Sequence, residues 1–364
     1  MRVLPENDSF VARLLRDFRF VEDGRRFVAR LQGEGRFGSS VLPNRKNRKV
    51  LVEPLAWEEW RGTRPGFARR WLQALRLPYL AFSLLPLLLV VTSHFGANGL
   101  ARATEALHMV LATTLLHLGC NLWNDYEDHL RGVDSPENSG GSGVIRKLWI
   151  PAVHIRNAAA AMFLLGIALG VALLLRLEWT QKHLLWIGLL GAIGAASYSG
   201  WPFHYKYLGL GEPVVFLLGG PLIAMGATAV MHEDADFFLW YALASLPLSF
   251  LAVLRLHTNN MQRAPFDAMA GARTIASLAG FKLSRWLTVW LLLAPFLAAL
   301  ALRLSGVAPG ASWISALALP LLARPLRLAL SCTGPLDPAC GDLRRSVARL
   351  HLAFGLMWIL GYSV

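Results

Sequence analysis

Long apolar stretches recur along this chain from Leu77 onward, and they constrain its fold more than any other feature. An α-helix needs roughly 20 apolar residues to cross a bilayer. Hydrophobic residues make up 55% of the chain and charged residues only 16%, which excludes disorder and is not typical of a soluble domain. We therefore predict an all-α integral membrane protein. The candidate spans lie at 77–96, 104–123, 153–175, 183–201, 209–230, 237–257, 284–304, 312–331 and 346–363.

Basic residues are distributed unevenly between the predicted loops. The loops after the second, fourth, sixth and eighth spans are basic, whereas the loop at 232–236 contains neither Lys nor Arg. By the positive-inside rule, the N-terminus and the basic loops face the cytoplasm and the C-terminus lies outside. We expect a multi-pass protein of the cytoplasmic (inner) membrane. This topology accounts for the formal net charge of +13, so the charge does not predict nucleic-acid binding.

The first 76 residues form a separate, basic cytoplasmic arm, and residues 77–364 form the transmembrane domain. Apolar residues recur in the arm at helical spacing beside arginines, at Phe10, Leu14, Leu15, Phe18 and Val21. Such a pattern is typical of an amphipathic helix on an anionic membrane surface. A solvated arm is an equally good interpretation. The sequence does not predict an oligomeric state.

The cysteine and histidine residues do not predict a second site. Cys120, Cys332 and Cys340 have neither a disulfide framework nor metal-type spacing, which favours a reducing compartment. His117 lies near the end of the second span and His257 at the end of the sixth. We interpret both histidines as hydrogen-bonded structural residues rather than ligands.

Polar side chains are concentrated in two predicted cytoplasmic loops, of which the first follows the second span. If the helix continues into this loop, Asn121, Asn124, Asp125 and Asp128 lie on one face, with Asp134 a few residues on. Carboxylates at the mouth of a membrane bundle are costly unless something neutralises them. Mg²⁺ (magnesium) takes one or two carboxylates and fills its other positions with water and phosphate oxygens. A metal site is therefore favoured over a solvated loop.

The second polar loop follows the sixth span and resembles the first. Asn259 and Asn260 stand at the helix end, followed by Arg263, Asp267 and Arg273. The repetition predicts two halves that face a shared cavity.

Between the two polar loops lies a short third loop. Its basic side chain is Lys206, which Tyr198 and Tyr205 precede. A lysine binds a diphosphate as a point charge. On position alone, a role as a topology anchor is favoured.

These residues carry a family resemblance. Asn124-Asp125-x-x-Asp128 resembles the first aspartate motif of the UbiA-type intramembrane prenyltransferases. The fuller string NDYEDHLRGVD, followed by GGSGVI, is most similar to the 1,4-dihydroxy-2-naphthoate polyprenyltransferase branch. YSGWPFHYKYLGLGEPVVFLLGGPL resembles that branch's central loop and fifth helix, and NNMQRAPFDAMAGARTIA its second aspartate region. The resemblance covers residues 70–364.

The resemblance implies a UbiA-like bundle of about nine helices around a central cavity. It also implies Mg²⁺-dependent transfer of a polyprenyl group from an allylic diphosphate to an aromatic, naphthoate- or benzoate-like acceptor, in menaquinone or related biosynthesis. The catalytic residues it implies are Asp125, Asp128, Lys206 and Asp267. The metal ligands are Asp125, Asp128 and Asp267, with Asp134 as a further candidate. The substrate-binding residues are Asn121, Asn124, Tyr126, Tyr198, Asn259, Asn260, Arg263 and Arg273. Tyr126, Tyr198 and Tyr205 are candidates to stabilise an allylic cation.

The second motif departs from the family pattern NNxRDxxxD. Gln262 stands where Arg is expected, Arg263 where the first Asp is expected, and only Asp267 remains. One hypothesis is that Arg263 binds phosphate oxygens in place of a second Mg²⁺. Another is that Arg263 pairs with Asp267, and that the protein binds a prenyl lipid or quinone without catalysis. A third keeps the ionisation step but cyclises the prenyl chain. We favour aromatic prenyl transfer.

Overall fold

The computed structural model describes residues 2–4, 29–30, 40–41, 50–52, 65–131, 133–134, 141–147, 149–177, 182–232 and 236–364. From residue 65 onward the described chain is helical. The α-helices are α1 (Phe67–Leu75), α2 (Ala81–Asn98), α3 (Ala103–Leu130), α4 (Ala152–Arg176), α5 (Lys182–Ser197), α6 (Gly211–Leu217), α7 (Ile223–Met231), α8 (Asp236–Ala244), α9 (Leu246–Met269), α10 (Ile275–Leu304), α11 (Leu319–Ser331) and α12 (Pro338–Ser363). Shorter helical segments are Leu77–Leu80, Tyr205–Tyr207 and Gly310–Ala318, which are 3-10 helices, and the π-helical turn Leu218–Leu222.

The helical segments reproduce the predicted membrane spans. Within the described residues, six are long and apolar enough to cross a bilayer, namely Phe67–Asn98, Ala103–Leu130, Ala152–Arg176, Gly211–Met231, Ile275–Leu304 and Gly310–Ser331. The helices α8 and α9, bent by 42° at their junction, add a seventh if they are one span. The shorter apolar helix His183–Ser197 and α12 cover the two remaining predicted spans. The prediction of an all-α, multi-pass membrane domain is confirmed.

The N-terminal arm contains four short strands, β1 (Arg2–Leu4), β2 (Ala29–Arg30), β3 (Ser40–Val41) and β4 (Val50–Val52). Strand β1 pairs antiparallel with β4, and β2 pairs antiparallel with β3. The predicted amphipathic helix around residues 10–21 lies outside the described residues.

Helix α1, which the sequence assigned to the arm, packs against the transmembrane bundle. Ala74 of α1 is completely buried and shares an apolar cluster with Leu122 and Tyr126 of α3. The chain then turns at Arg76, whose left-handed backbone (φ 50°, ψ 48°) ends α1 and precedes α2. The last residues of the predicted arm therefore belong structurally to the bundle.

Small residues and large aromatic side chains both contribute to the packing of the bundle. A Cβ added at Gly119 of α3 would lie 3.3 Å from the carbonyl oxygen of Ala159 in α4, so the two backbones approach closely. Trp358 of α12 is completely buried and donates its indole N–H to the carbonyl of Ala244, at 2.9 Å. These contacts hold the helices around a central space.

The two polar motifs lie on helices, whereas the sequence analysis predicted loops. The backbone N–H of Arg131 still donates to the Glu127 carbonyl at 3.0 Å, so α3 includes the whole first motif. The N–H of Ala270 likewise donates to the Phe266 carbonyl at 3.0 Å, so α9 includes the second motif. Helical continuation confirms the predicted common face. The expected loops are wrong because the backbone hydrogen bonds of both helices continue beyond the apolar spans.

Cys332 and Cys340 form a disulfide bond, which corrects the expectation that the cysteines have no pairing. The end of α11 and the start of α12 bring the two together across an eight-residue separation. Cys120 is a free cysteine. Short disulfide loops of this kind carry no distinctive sequence spacing.

Candidate functional site

A cavity of about 480 Å³ lies inside the bundle, and its two ends differ in chemistry. One end is polar and cationic, and is lined by Arg76, Asn121, Asn124, Gly141, Lys206, Asn259, Asn260, Arg263 and Arg344. The remainder is apolar, with Leu87, Met109, Leu173 and Val230 among its lining residues. Among the described residues, no Asp or Glu side chain lines the cavity. The bases thus form the inner surface and the acids lie behind them.

A buried ion pair between Lys206 and Asp128 lies at the cationic end. The Lys206 ammonium donates to both carboxylate oxygens of Asp128, each at 2.6 Å, and to Asn124 Oδ1 at 2.7 Å. The Tyr207 hydroxyl donates to Asp128 Oδ1 at 2.7 Å. Asp128 is completely buried, so its charge depends on these partners. The pair joins α3 to the central loop and fixes where the ammonium lies.

Arg76 enters the site from the turn between α1 and α2. Its guanidinium donates to the Asn121 carbonyl at 2.7 Å and lies 3.2 Å from Asp125 Oδ1. The Asn121 side chain donates to the Leu75 carbonyl at 3.0 Å, which ties the end of α1 to α3. This mutual bonding holds Arg76 against the cavity.

Asp125 and Asp134 approach each other beside Gly141. A Cβ added at Gly141 would lie 2.7 Å from Asp134 Oδ2 and 2.8 Å from Asp125 Oδ1, so both oxygens face the space that this glycine leaves open. Gly141 itself lines the cavity and has a positive φ of 59°. The backbone N–H and hydroxyl of Ser142 donate to Asp125. The two carboxylates therefore lie immediately behind the cavity wall.

The donor set beside Gly141 fits Mg²⁺, which prefers hard oxygen ligands and is held by one or two carboxylates together with substrate phosphates. Among the described side chains, no group of three Asp, Glu, His or Cys residues forms a complete protein cage for a metal. A site completed by phosphate oxygens does not need such a cage.

Burial, together with the nearby Asp128 carboxylate, raises the pKa of Asp134 to about 7 against the opposing effect of Arg263. A nearby cation stabilises the ionised form of a buried carboxylate more strongly than that of a carboxylate on the surface. This property favours cation binding at the end of the cavity where Asp134 lies.

Arg263 bridges the two halves of the site. Its guanidinium lies 3.3 Å from Asp134 Oδ1 and 3.6 Å from Asp267 Oδ1, while its side chain also lines the cavity. The predicted pairing with Asp267 is present. It does not remove Arg263 from the cavity, so the phosphate-binding hypothesis also stands.

The second motif is supported by a buried glutamate on α6. Glu212 Oε1 accepts from Asn260 Nδ2 at 3.0 Å and lies 3.2 Å from His257 Nδ1. The other ring nitrogen of His257 lies 3.2 Å from the Ser284 carbonyl. His257 is completely buried and does not line the cavity, which agrees with its predicted structural role.

Several predicted site residues lie away from the cavity. Tyr126 is buried in the apolar cluster behind α3, because it lies two positions from Asn124 and so points to the opposite side of the helix. The Arg273 side chain is exposed, and its backbone N–H donates to the Tyr207 carbonyl at 3.2 Å. Asp267 is buried behind Arg263. None of these three residues lines the cavity. The substrate-binding roles of Tyr126 and Arg273 and the metal-binding role of Asp267 stay predictions.

Four residues that contribute to the site were not predicted, namely Arg76, Tyr207, Glu212 and Arg344. Arg344 of α12 lines the cavity and donates to Asn259 Oδ1 at 3.2 Å. Glu212 carried a usable signal, because a charged residue inside an apolar span is expensive and usually has a partner. Arg76 and Arg344 carried no sequence signal of a site, because basic residues at span ends are ordinary topology signals.

Comparisons with known proteins agree with the fold. The sequence profile of the UbiA prenyltransferase family matches residues 80–338. The UbiA prenyltransferase domain-containing protein 1 of Rattus norvegicus is 30% identical over 291 residues, covering 79% of this chain and 81% of the relative. The 1,4-dihydroxy-2-naphthoate octaprenyltransferase of Haemophilus influenzae is 27% identical over 274 residues, covering 73% of this chain and 86% of the relative.

A solved structure of digeranylgeranylglyceryl phosphate synthase has the same fold, with a TM-score of 0.54 and 15% sequence identity. The superposition covers 81% of this chain and 98% of the synthase. The predicted UbiA-like bundle is thereby confirmed. Since the family profile spans well over half of its length, the chain belongs to the UbiA prenyltransferase family.

Proposed function

We propose that this protein transfers a polyprenyl group from an allylic diphosphate to a naphthoate- or benzoate-like aromatic acceptor, in quinone or prenylated-aromatic biosynthesis. The observation that carries the proposal is the division of one cavity into a cationic end and an apolar body. A polyprenyl diphosphate has the same division, with a polyanionic head and an apolar tail. The similarity to 1,4-dihydroxy-2-naphthoate octaprenyltransferases supports the aromatic acceptor.

The cationic end is suited to a leaving group that gains negative charge. When the allylic C–O bond breaks, the electron pair leaves with the diphosphate. Lys206, Arg263 and Arg344 all line this end and stabilise charge developing on the phosphate oxygens. Arginine can contact two phosphate oxygens at once, whereas lysine acts as a point charge.

Asp125 and Asp134 would hold Mg²⁺ beside Gly141, because their oxygens face one space at the cavity wall. When bound, Mg²⁺ supplies Lewis-acid stabilisation of the departing diphosphate. Asp128 is committed to Lys206, with both carboxylate oxygens accepting from the ammonium at 2.6 Å. We therefore assign Asp128 the role of positioning Lys206.

We propose that two tyrosines stabilise the allylic cation. Tyr198 and Tyr205 line the cavity with their ring centroids 5.6 Å apart, in an edge-to-face arrangement. Aromatic ring faces attract cations. In the naphthoate branch that the sequence resembles, the acceptor carbon loses its carboxylate as CO₂ when it bonds to the prenyl carbon, and we propose the same outcome here.

We propose that the cationic end faces the cytoplasm, that the protein lies in the inner membrane, and that the C-terminus is outside. The excess of basic residues in the loops at this end supports the assignment. A topology reporter fused after Val364 should report the non-cytoplasmic side. A cytoplasmic signal from that fusion would contradict the orientation.

The proposed reaction is tested with purified protein, Mg²⁺ and farnesyl or longer polyprenyl diphosphates. We expect pyrophosphate release only when a hydroxyaromatic acid such as 1,4-dihydroxy-2-naphthoate is present, with an equal amount of prenylated product. Asp125→Asn should abolish both. Release without acceptor, together with a cyclic hydrocarbon, would instead identify a cyclase. Saturable binding of a prenyl lipid without release would identify a binding protein.

The space beside Gly141 is tested by Gly141→Ala. The added methyl group would lie within 3 Å of both carboxylate oxygens, so we expect at least a tenfold loss of prenyl transfer and a higher Mg²⁺ requirement. Gly306→Ala is the matched control, because Gly306 also has a positive φ, of 83°, but nothing within 4 Å of an added Cβ. Equal activity of the two variants would contradict the role of this space.

The role of Arg263 is tested by Arg263→Asp. The substitution removes a guanidinium from the cavity and adds a carboxylate beside Asp134 and Asp267. We expect diphosphate affinity to fall about 10- to 100-fold at low Mg²⁺, and to recover partly as Mg²⁺ is raised. Arg345→Asp, an equal charge change on an exposed side chain of α12, should have little effect. Unchanged affinity and metal dependence would exclude Arg263 from the diphosphate site.

A further inference from the structure

The cavity contains an aromatic wall that the diphosphate and tail assignments leave unused. Tyr79, Phe82 and His117 all line the cavity. The rings of Tyr79 and Phe82 meet edge to face at 5.6 Å, and those of Phe82 and His117 at 6.5 Å. Such a wall suits a flat aromatic molecule rather than a flexible isoprenoid chain, because aromatic rings pack with specific offset or edge geometry.

The wall lies where the cationic end meets the apolar body. The guanidinium carbon of Arg76 is 5.6 Å from the Tyr79 ring centroid, so the wall begins beside a base of the cationic end. His117 lies four residues before Asn121 on α3, which places it one helical turn, about 6 Å, deeper along the same face. A diphosphate bound at the cationic end would place its first prenyl carbon at about this depth. An acceptor must reach that carbon to react.

His117 is oriented by a hydrogen bond to Ser83 of α2. Ser83 Oγ lies 2.9 Å from His117 Nδ1 and donates to the Leu80 carbonyl at 3.3 Å. A hydroxyl has one hydrogen to donate, so while Ser83 donates to the Leu80 carbonyl it can only accept from the Nδ1–H group, which selects the Nδ1–H tautomer of His117. This arrangement places the imidazole lone pair on Nε2. Nε2 is the ring nitrogen that remains for a molecule in the cavity, since the described hydrogen bond uses Nδ1.

We propose that Tyr79, Phe82 and His117 form the subsite of the aromatic acceptor, and that His117 Nε2 takes the proton of the acceptor's hydroxyl group. The inference rests on the proposed function. Removing the hydroxyl proton makes the neighbouring ring carbon more nucleophilic, and a positioned histidine is the commonest general base in enzymes. Ser83 is a positioning residue, because it acts through the imidazole.

The step balances in atoms and electrons. The hydroxyl proton moves to Nε2, the ring carbon that carries the carboxylate bonds to the prenyl carbon, and the C–O electron pair leaves with the diphosphate. The carboxylate then departs as CO₂, and its bonding pair restores the aromatic ring and leaves the hydroxyl oxygen as an oxyanion. His117 returns its proton to this oxygen, so the histidine ends in its starting state.

The inference is tested with His117→Gln in the acceptor-dependent assay. We expect kcat with 1,4-dihydroxy-2-naphthoate to fall about 100- to 10,000-fold, the usual contribution of a general base, while binding of farnesyl diphosphate changes little. His108→Gln is the matched control, because His108 is on the same helix but does not line the cavity. Its activity should match that of the unmodified protein.

Acceptor acidity distinguishes a base from a structural residue. A ring-fluorinated acceptor with a more acidic hydroxyl should recover a large part of the lost kcat in His117→Gln and very little in the unmodified protein. Ser83→Ala keeps the imidazole and should show a smaller loss with the same dependence on acidity. This second variant preserves the test if His117→Gln does not fold.

The outcomes separate this inference from the proposed function. If the unmodified protein prenylates the acceptor and the His117→Gln and Ser83→Ala variants do so equally well, the subsite is wrong and the proposed function stands. A loss that is the same for acceptors of every acidity also overturns the role of His117 as a base. If the unmodified protein prenylates no hydroxyaromatic acid, the proposed function and this inference both fall.

Discussion

The ion pair between Asp128 and Lys206 is the interaction on which the site depends. It lies at the end of a helical bundle, where both charges are taken out of water and neither could remain ionised alone. Removing one partner of such a pair costs about 3–5 kcal/mol, because the other charge is then buried without compensation. The pair therefore does two things at once. It ties the central loop to α3, and it stabilises an ammonium group at the wall of the cavity.

The same principle orders the other charges of the site into two layers. Arg76 is held by Asp125, and Arg263 by Asp134 and Asp267, so each of these two bases, like Lys206, has an acid behind it. The base of each pair, rather than the acid, lines the cavity and presents donors to an anion. This layering explains how the second motif can carry Arg263 where the family pattern that it resembles has an acid. The substitution adds a further base to a surface that already consists of bases.

Much of this arrangement could be predicted from the sequence, and the failures have physical causes. The helical spacing of Asn121, Asn124 and Asp128 placed them on one face, and the structure agrees because α3 continues through the motif. Periodicity could not show that the acids lie behind bases at the cavity wall, since those bases come from distant segments. Arg76 reaches Asp125 only through a left-handed turn at the end of α1, and Arg344 arrives from the last helix. Long-range contacts of this kind leave no local pattern.

Helix α3 arranges the chemistry of the cavity by depth. Asn124 and Asn121 lie at the cationic end, His117 one turn further in, and Thr113 and Met109 along the apolar body, all on the cavity side of one helix. Each turn advances about 5.4 Å, so the head, the reacting carbon and the first isoprene units of a bound diphosphate would meet successive turns. A rigid helix keeps these distances constant whatever the length of the tail. Under the proposed function, α3 and its neighbours would set the position of the reaction. The tail would extend into the space beyond, where Gly170 of α4 lines the cavity and has nothing within 4 Å of an added Cβ.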